Sequence, residues 1–163
     1  MMKILMTLFT LLTATHAQAR PDDSAAPRMD SVSLTKQLET DGPKVTAERL
    51  TQSHNWAILA RDIARDDASL PPPLLNSLLS RAPADVTPML QAALRTRLQH
   101  DALDGLSVIV PASSSPFAGA AICGNGTPSW QKRIAPMVTE THNVVLALQR
   151  QDCLNALKTH PAG

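Results

Sequence analysis

Tyrosine is absent from this 163-residue chain, and its aromatic residues are only Trp56, Trp130, Phe9 and Phe117. Flat rings give carbohydrate and many ligand sites their contact area at low entropic cost, so this shortage argues against a sugar-binding module. Charge of one sign is missing as well. The five histidines are scattered, with no HExxH motif and no pair at i, i+4 to share a metal. Glutamate occurs only at Glu39, Glu48 and Glu140, which leaves little for a two-carboxylate glycosidic site. The sequence contains no GxSxG elbow, phosphate-cradling glycine loop, CxxC or CxxCH. We therefore expect no cofactor and no metal.

What is present begins with MMKILMTLFTLLTATHAQA. Lys3 precedes an apolar stretch from Ile4 to Leu12, and Ala17 and Ala19 supply the small residues of a signal-peptidase site. The stretch is too short to span a bilayer, which takes roughly 18 residues or more. The pattern predicts a secretory signal over 1–19, cleaved between Ala19 and Arg20, and a periplasmic or secreted product. No later segment is apolar enough to be a transmembrane span. Removing residues 1–19 takes away Lys3 alone and leaves 14 basic against 14 acidic side chains. A neutral chain lacks the concentrated positive field that nucleic acid or an anionic membrane surface requires, so neither is expected as a partner.

Residues 20–30, RPDDSAAPRMD, read as a disordered leader, and 31–160 as a single domain of helical periodicity without strand alternation. Helices are predicted over 32–40 and 43–52, broken by Asp41-Gly42-Pro43. The next carries Trp56, Leu59, Ala60 and Ile63 at i, i+3, i+4 and i+7, after Ser53 or Asn55 as N-cap, and ends near Asp66-Asp67. Another starts at Ser69–Pro73 and lines one face with Leu74, Leu75, Leu78 and Leu79. Pro83 ends it. Asp85 is the expected cap for a helix stepping through Val86, Leu90, Leu94 and Leu98, with Pro88 tolerated in its opening turn. Residues 106–110 fit a short strand, a helical turn or a buried extended segment. A last helix is expected from between Ser129 and Pro136 to Lys158, with Met137, Val138, Val144, Val145, Leu148, Leu154 and Leu157 inward. Val45 and Leu74 join the predicted core. The fold class is all-α, with five to six short helices packed as antiparallel hairpins.

Cys123 and Cys153 are the only cysteines, and an even count in an exported chain reads as a disulfide. Between them, Gly124-Asn125-Gly126 suggests a positive-φ turn, Thr127 or Ser129 a helix cap, and Trp130 a cover over the bridge. Asn125-Gly126-Thr127 matches an N-glycosylation acceptor, but the compact leader ending in AQA is of bacterial type, so the turn reading is preferred. His54, His100 and His142 read as exposed or capping residues.

By elimination the sequence points to a small exported protein that works by binding another exported or periplasmic protein, as an inhibitor, toxin-immunity protein or assembly and chaperone accessory. One alternative is a carrier of a small apolar ligand between leucine-rich helices. A second is a hydrolase with a dispersed site near residues 113–130, using a serine of Ser113–Ser115, His142 as base and Asp101 or Asp104 as orienter.

Overall fold

In a computed structural model, residues 28–66, 70–111 and 114–159 are described. The predicted signal, its Ala19/Arg20 cleavage point, most of the leader, Asp67 and Ser113 lie outside those residues. Within them the chain is all-helical, with eight helices and no strand. These are α1 (Ser31–Gln52), α2 (Trp56–Ala64), α3 (Pro72–Leu79), α4 (Thr87–His100), α5 (Ala102–Ser107), α6 (Gly119–Gly124), α7 (Pro128–Glu140) and α8 (Ala147–Thr159). The count exceeds the expected five to six because α5 and α6 are short helices not expected from the sequence and the last helix is two, which outweighs the merging of the first two expected helices in α1.

Local chemistry explains most boundaries. Asp30 caps α1, its side chain accepting from the Val32 N–H at 3.2 Å. Hydrogen bonds from Ser33 and the backbone hold the Asp30 carboxyl below its ordinary pKa. The predicted break at 41–43 is present as a kink inside α1. Gly42 has φ +80° and ψ 168°, outside helical space, in a region essentially confined to glycine, where an L-residue pays about 1–3 kcal/mol. Pro43 then starts the second arm, where its missing N–H is no loss. Arg28 to Asp30 lead into α1. Met29 N–H donates to Asp62 Oδ2 at 2.8 Å, which ties the segment before α1 to α2. Asn55 and Asp85 were expected as caps. Asn55 occupies the N-cap of α2 without a side-chain bond, and Val86, not Asp85, stands at the N-cap of α4.

The Leu stripes bury as their spacing predicts: Leu59, Ile63, Leu75, Leu78, Leu79, Leu90, Leu94 and Leu98 are all enclosed. Leu74 is only partly buried, and Val45 is exposed on the outer side of α1. Principal packing pairs skip one element: α1 on α3, α2 on α4 and α6 on α8. Sequential neighbours pair as well in α4–α5 and α7–α8, so the simple succession of neighbouring hairpins does not describe the molecule. After α5, Val108 and Ile109 are fully buried. Val110 then makes a single parallel bridge to Ala118, its N–H donating to the Phe117 carbonyl at 3.1 Å. The stretch 106–110 is therefore the last turn of α5, a buried turn at Val108 and Ile109, and a single bridging residue, Val110.

One ion cluster ties three of these elements. Arg97 of α4, 5% exposed, donates to both carboxylate oxygens of Asp104 in α5, with Nη2 to Oδ1 at 2.9 Å. The same Nη2 lies 2.6 Å from Asp66 Oδ1 beyond α2. Asp66 is itself in left-handed backbone (φ +59°). That geometry places its carboxylate where α2 ends.

Candidate functional site

The C-terminal third is built on the disulfide. Cys123 and Cys153 are bonded, with Cα atoms 5.2 Å apart, and both are fully buried. They clamp α6 to α8. At the other end of α6, Gly119 lets α8 approach so closely that a Cβ there would sit 3.0 Å from Cys153 N and the Gln149 carbonyl. Cys123 and Gly124 close α6, and the chain turns at Asn125 and Gly126 as expected but without a positive φ. Gly126 is required for space instead: a Cβ would lie 2.2 Å from Trp130 Cε3. Trp130 thus packs on Gly126, while Gln131 makes the hydrogen bonds into the Cys123 turn. Gln131 Nε2 donates to the Cys123 and Gly124 carbonyls, each at 3.0 Å. Thr127 caps α7 as expected, its Oγ1 accepting from Trp130 N–H at 3.4 Å.

The predicted long last helix breaks at residues 141–146. Thr141 leaves helical space (ψ 108°), and Asn143 Oδ1 accepts from Val145 N–H at 2.9 Å, an Asx turn that starts the new direction. Arg150, one turn into α8, donates to the Val138 and Thr139 carbonyls at 3.1 and 2.8 Å. It thereby satisfies the carbonyls left open where α7 ends. The break reverses three core expectations. Leu146 is buried in the corner, but Val144, Val145 and Leu148 are 93%, 84% and 69% exposed. Val138 is buried, and Met137, Leu154 and Leu157 pack partly buried against the core.

A single exposed apolar residue is ordinary, but a cluster in water is unfavourable unless something covers it. Val144 and Val145 on the turn and Leu148 in the first turn of α8 leave three apolar side chains exposed within five residues, at a corner fixed by an Asx turn and Arg150. Their periodicity as part of one amphipathic helix concealed this, because the chain turns where the pattern continues.

Of the residues considered for hydrolysis, Ser113 lies outside the described residues, and Ser115 Oγ accepts from Phe117 N–H at 3.1 Å. Asp101 Oδ1 caps α5 through Asp104 N–H at 3.0 Å, and Asp104 is engaged by Arg97. His142 Nδ1 donates to the Glu140 carbonyl at 2.7 Å in an exposed position, which fits the capping role expected of it. Among the described residues no three His, Cys, Asp or Glu side chains are grouped as metal ligands, and no helix is long and apolar enough to cross a membrane.

A concave feature lies at the opposite end of the sequence. A cleft of about 590 Å³ opens between the two arms of kinked α1 and the first turn of α2. Met29, Leu34, Leu50 and Ile58 are its apolar lining residues, and Arg28, Asp30 and Arg49 its charged ones. No family model, curated protein or solved structure matches the chain.

Proposed function

We propose that the protein is exported and acts without catalysis by binding another exported or periplasmic protein through the apolar corner at Val144, Val145 and Leu148. The observation that carries this reading is the exposure of three neighbouring apolar side chains at a corner held in place by hydrogen bonds. Preordered apolar surface is the feature of a docking face that lowers the entropic cost of association. The signal-like leader, the disulfide and the neutral mature charge all support an exported protein whose partner is not a polyanion. The fitting partner presents an apolar groove or an amphipathic helix.

The test uses the oxidised mature chain carrying Val144→Ser, Val145→Ser and Leu148→Ser together. These side chains are exposed, so the melting temperature should stay within the spread of surface substitutions, a change of about 0.5 kcal/mol or less. A stoichiometric partner recovered from the periplasm by the native chain should be lost by the triple variant. Equal recovery by both chains would refute the corner as the docking face. Recovery of no stoichiometric partner by the native chain would refute the binding function itself.

A further inference from the structure

We propose that Asn125-Gly126, in the turn between α6 and α7, is a self-modifying site where asparagine becomes an aspartyl or isoaspartyl residue without an enzyme. The conversion loosens the join beside the disulfide. The chemistry needs the backbone nitrogen of the following residue to reach the asparagine Cγ and close a succinimide ring. A Cβ on that following residue crowds the approach, and glycine has none. Asn125 is exposed and stands just past the end of α6, at φ −93° and ψ 12°. Among the described residues its side chain has no hydrogen-bond partner, and the Gly126 N–H has none either. Ring closure has to swing ψ of Asn125, and no hydrogen bond on Gly126 N–H opposes that rotation.

The comparable positions are held. Asn143 Oδ1 accepts from Val145 N–H, Asn155 Oδ1 accepts from Gln151 in α8, and Asn76 lies inside α3. Asn55 has no side-chain cap bond, but the bulky Trp56 follows it. Asp41 and Asp104 also precede glycine and can close the same ring. Asp41 is engaged by Arg49. Asp104 is engaged by Arg97, and Gly105 N–H donates to the Asp101 carbonyl at 2.8 Å. Among the described residues only Asn125-Gly126 combines an unbonded amide, an unbonded nitrogen and no Cβ. Gly126 is also fixed by packing, because a Cβ there would lie 2.2 Å from Trp130 Cε3. The seat of the Trp130 ring and the reactivity of the turn thus share one residue.

The step balances with water as its only co-reactant. Hydroxide takes the Gly126 N–H proton, the N–Cγ bond forms, and the Cγ–Nδ2 bond breaks as ammonia leaves with a proton from water. Water then opens the ring in one of two places. Attack at Cγ gives aspartate; attack at the Asn125 carbonyl carbon routes the main chain through Cβ and Cγ and gives isoaspartate. Either product carries a carboxylate that is ionised at neutral pH. It adjoins the C-terminal end of α6, where negative charge is unfavourable. The Cys123 and Gly124 carbonyls at that end accept from Gln131 Nε2, and the added charge and the longer main chain of isoaspartate both disturb this contact.

The site shares no residue with the corner on α7–α8, so the outcome here is independent of the partner-binding reading. The oxidised mature chain is incubated folded in mildly alkaline buffer, resolved by anion exchange and mapped by peptide mass spectrometry. A more acidic species should accumulate, with the mass gain of an amide turned to an acid, and faster as hydroxide rises. The change should appear at Asn125 before any other asparagine. Asn125→Gln should fold as the native chain does, since that side chain is exposed and unbonded. It should form none of the early acidic species, because its ring would need an additional carbon. The separated acidic fraction should keep its disulfide, melt at a lower temperature and exchange amide hydrogens faster over residues 123–131. No acidic species from the folded chain, first conversion at another asparagine, or equal accumulation in Asn125→Gln would each overturn the site. Conversion in urea alone would do the same, since the fold would then hold Asn125 out of reaction. Identical melting and exchange in the two fractions would overturn the loosening of the join.

Discussion

Close backbone approach and unusual backbone angle are different reasons for a glycine, and the chain contains both. At Gly105 a Cβ would fall 2.4 Å from the Leu98 Cα and 2.8 Å from its nitrogen. Those are main-chain atoms of α4, which cannot rotate away. Gly105→Ala should therefore cost about 3 kcal/mol by overpacking and spread α5 from α4. Gly42 has open space around it but φ +80° and ψ 168°, a region essentially confined to glycine, so Gly42→Ala should cost about 1–3 kcal/mol of backbone strain without a steric clash. Hydrogen exchange of the two variants separates the cases: Gly105→Ala should loosen α5 and Gly42→Ala the α1 kink, and unchanged protection of α5 in Gly105→Ala would mean that α4 and α5 do not approach so closely. Arg97 is the other decisive residue. Its charge is buried, but both partners retain access to water, with side chains 30% (Asp104) and 64% (Asp66) exposed. Arg97→Ala should then cost about 2–3 kcal/mol, below the range for a fully buried pair. Unfolding midpoints of Arg97→Ala and Arg97→Lys check this, and Lys should recover only part of the loss because it cannot hold Asp104 with a two-pronged contact.

For whole elements, legibility in the sequence follows from how local the deciding contact is. Helices α2 and α4 could be read directly because a leucine every three or four residues reports burial along one axis. The kink in α1 was legible because Gly-Pro has few alternatives. The α7–α8 corner was not. Its turn is made by Asn143 bonding two residues ahead and by Arg150 reaching back to α7, while Val144, Val145 and Leu148 continue the apolar spacing as if the helix ran on. The role of Gly126 was hidden for a related reason: it depends on where the Trp130 ring lands, and composition alone suggests a turn. Asn143 and Arg150 were signals in principle, but polar residues within an amphipathic pattern are common on solvated faces. The Cys123–Cys153 pairing, by contrast, required only counting. Its energetic weight can be tested on α8. Closing this loop contributes about 3–4 kcal/mol in the chain-entropy model, and α8 is tied mainly to α6 and α7. The double Cys123→Ser, Cys153→Ser variant should lose that stability. Hydrogen exchange should rise first in α8 and least in α4, whose Leu90, Leu94 and Leu98 lie in the core. Uniform acceleration across all helices would show that the bridge stabilises the molecule only globally.

At the scale of the whole molecule, compartment and stability become one question. A domain of this size has a net stability of about 5–15 kcal/mol, so a bridge worth about 3–4 kcal/mol is a substantial share of it. The buried cysteines leave no polar role for two thiols in the core, and an oxidising compartment is where the pairing forms and persists. The leader and the disulfide therefore make a joint prediction. Made with residues 1–19 intact in a bacterial host, the chain should reach the periplasm with Arg20 at its N-terminus, and alkylation without reductant should modify neither cysteine. Made without the leader and kept in a reducing cytoplasm, it should carry two alkylatable thiols and unfold at a lower urea midpoint, by the same 3–4 kcal/mol that the double serine variant loses. Agreement between those two losses would show that the missing bond, and not the missing leader, accounts for the difference. A product that keeps Met1 or remains cytoplasmic would remove the export premise, and with it the expectation of an exported partner.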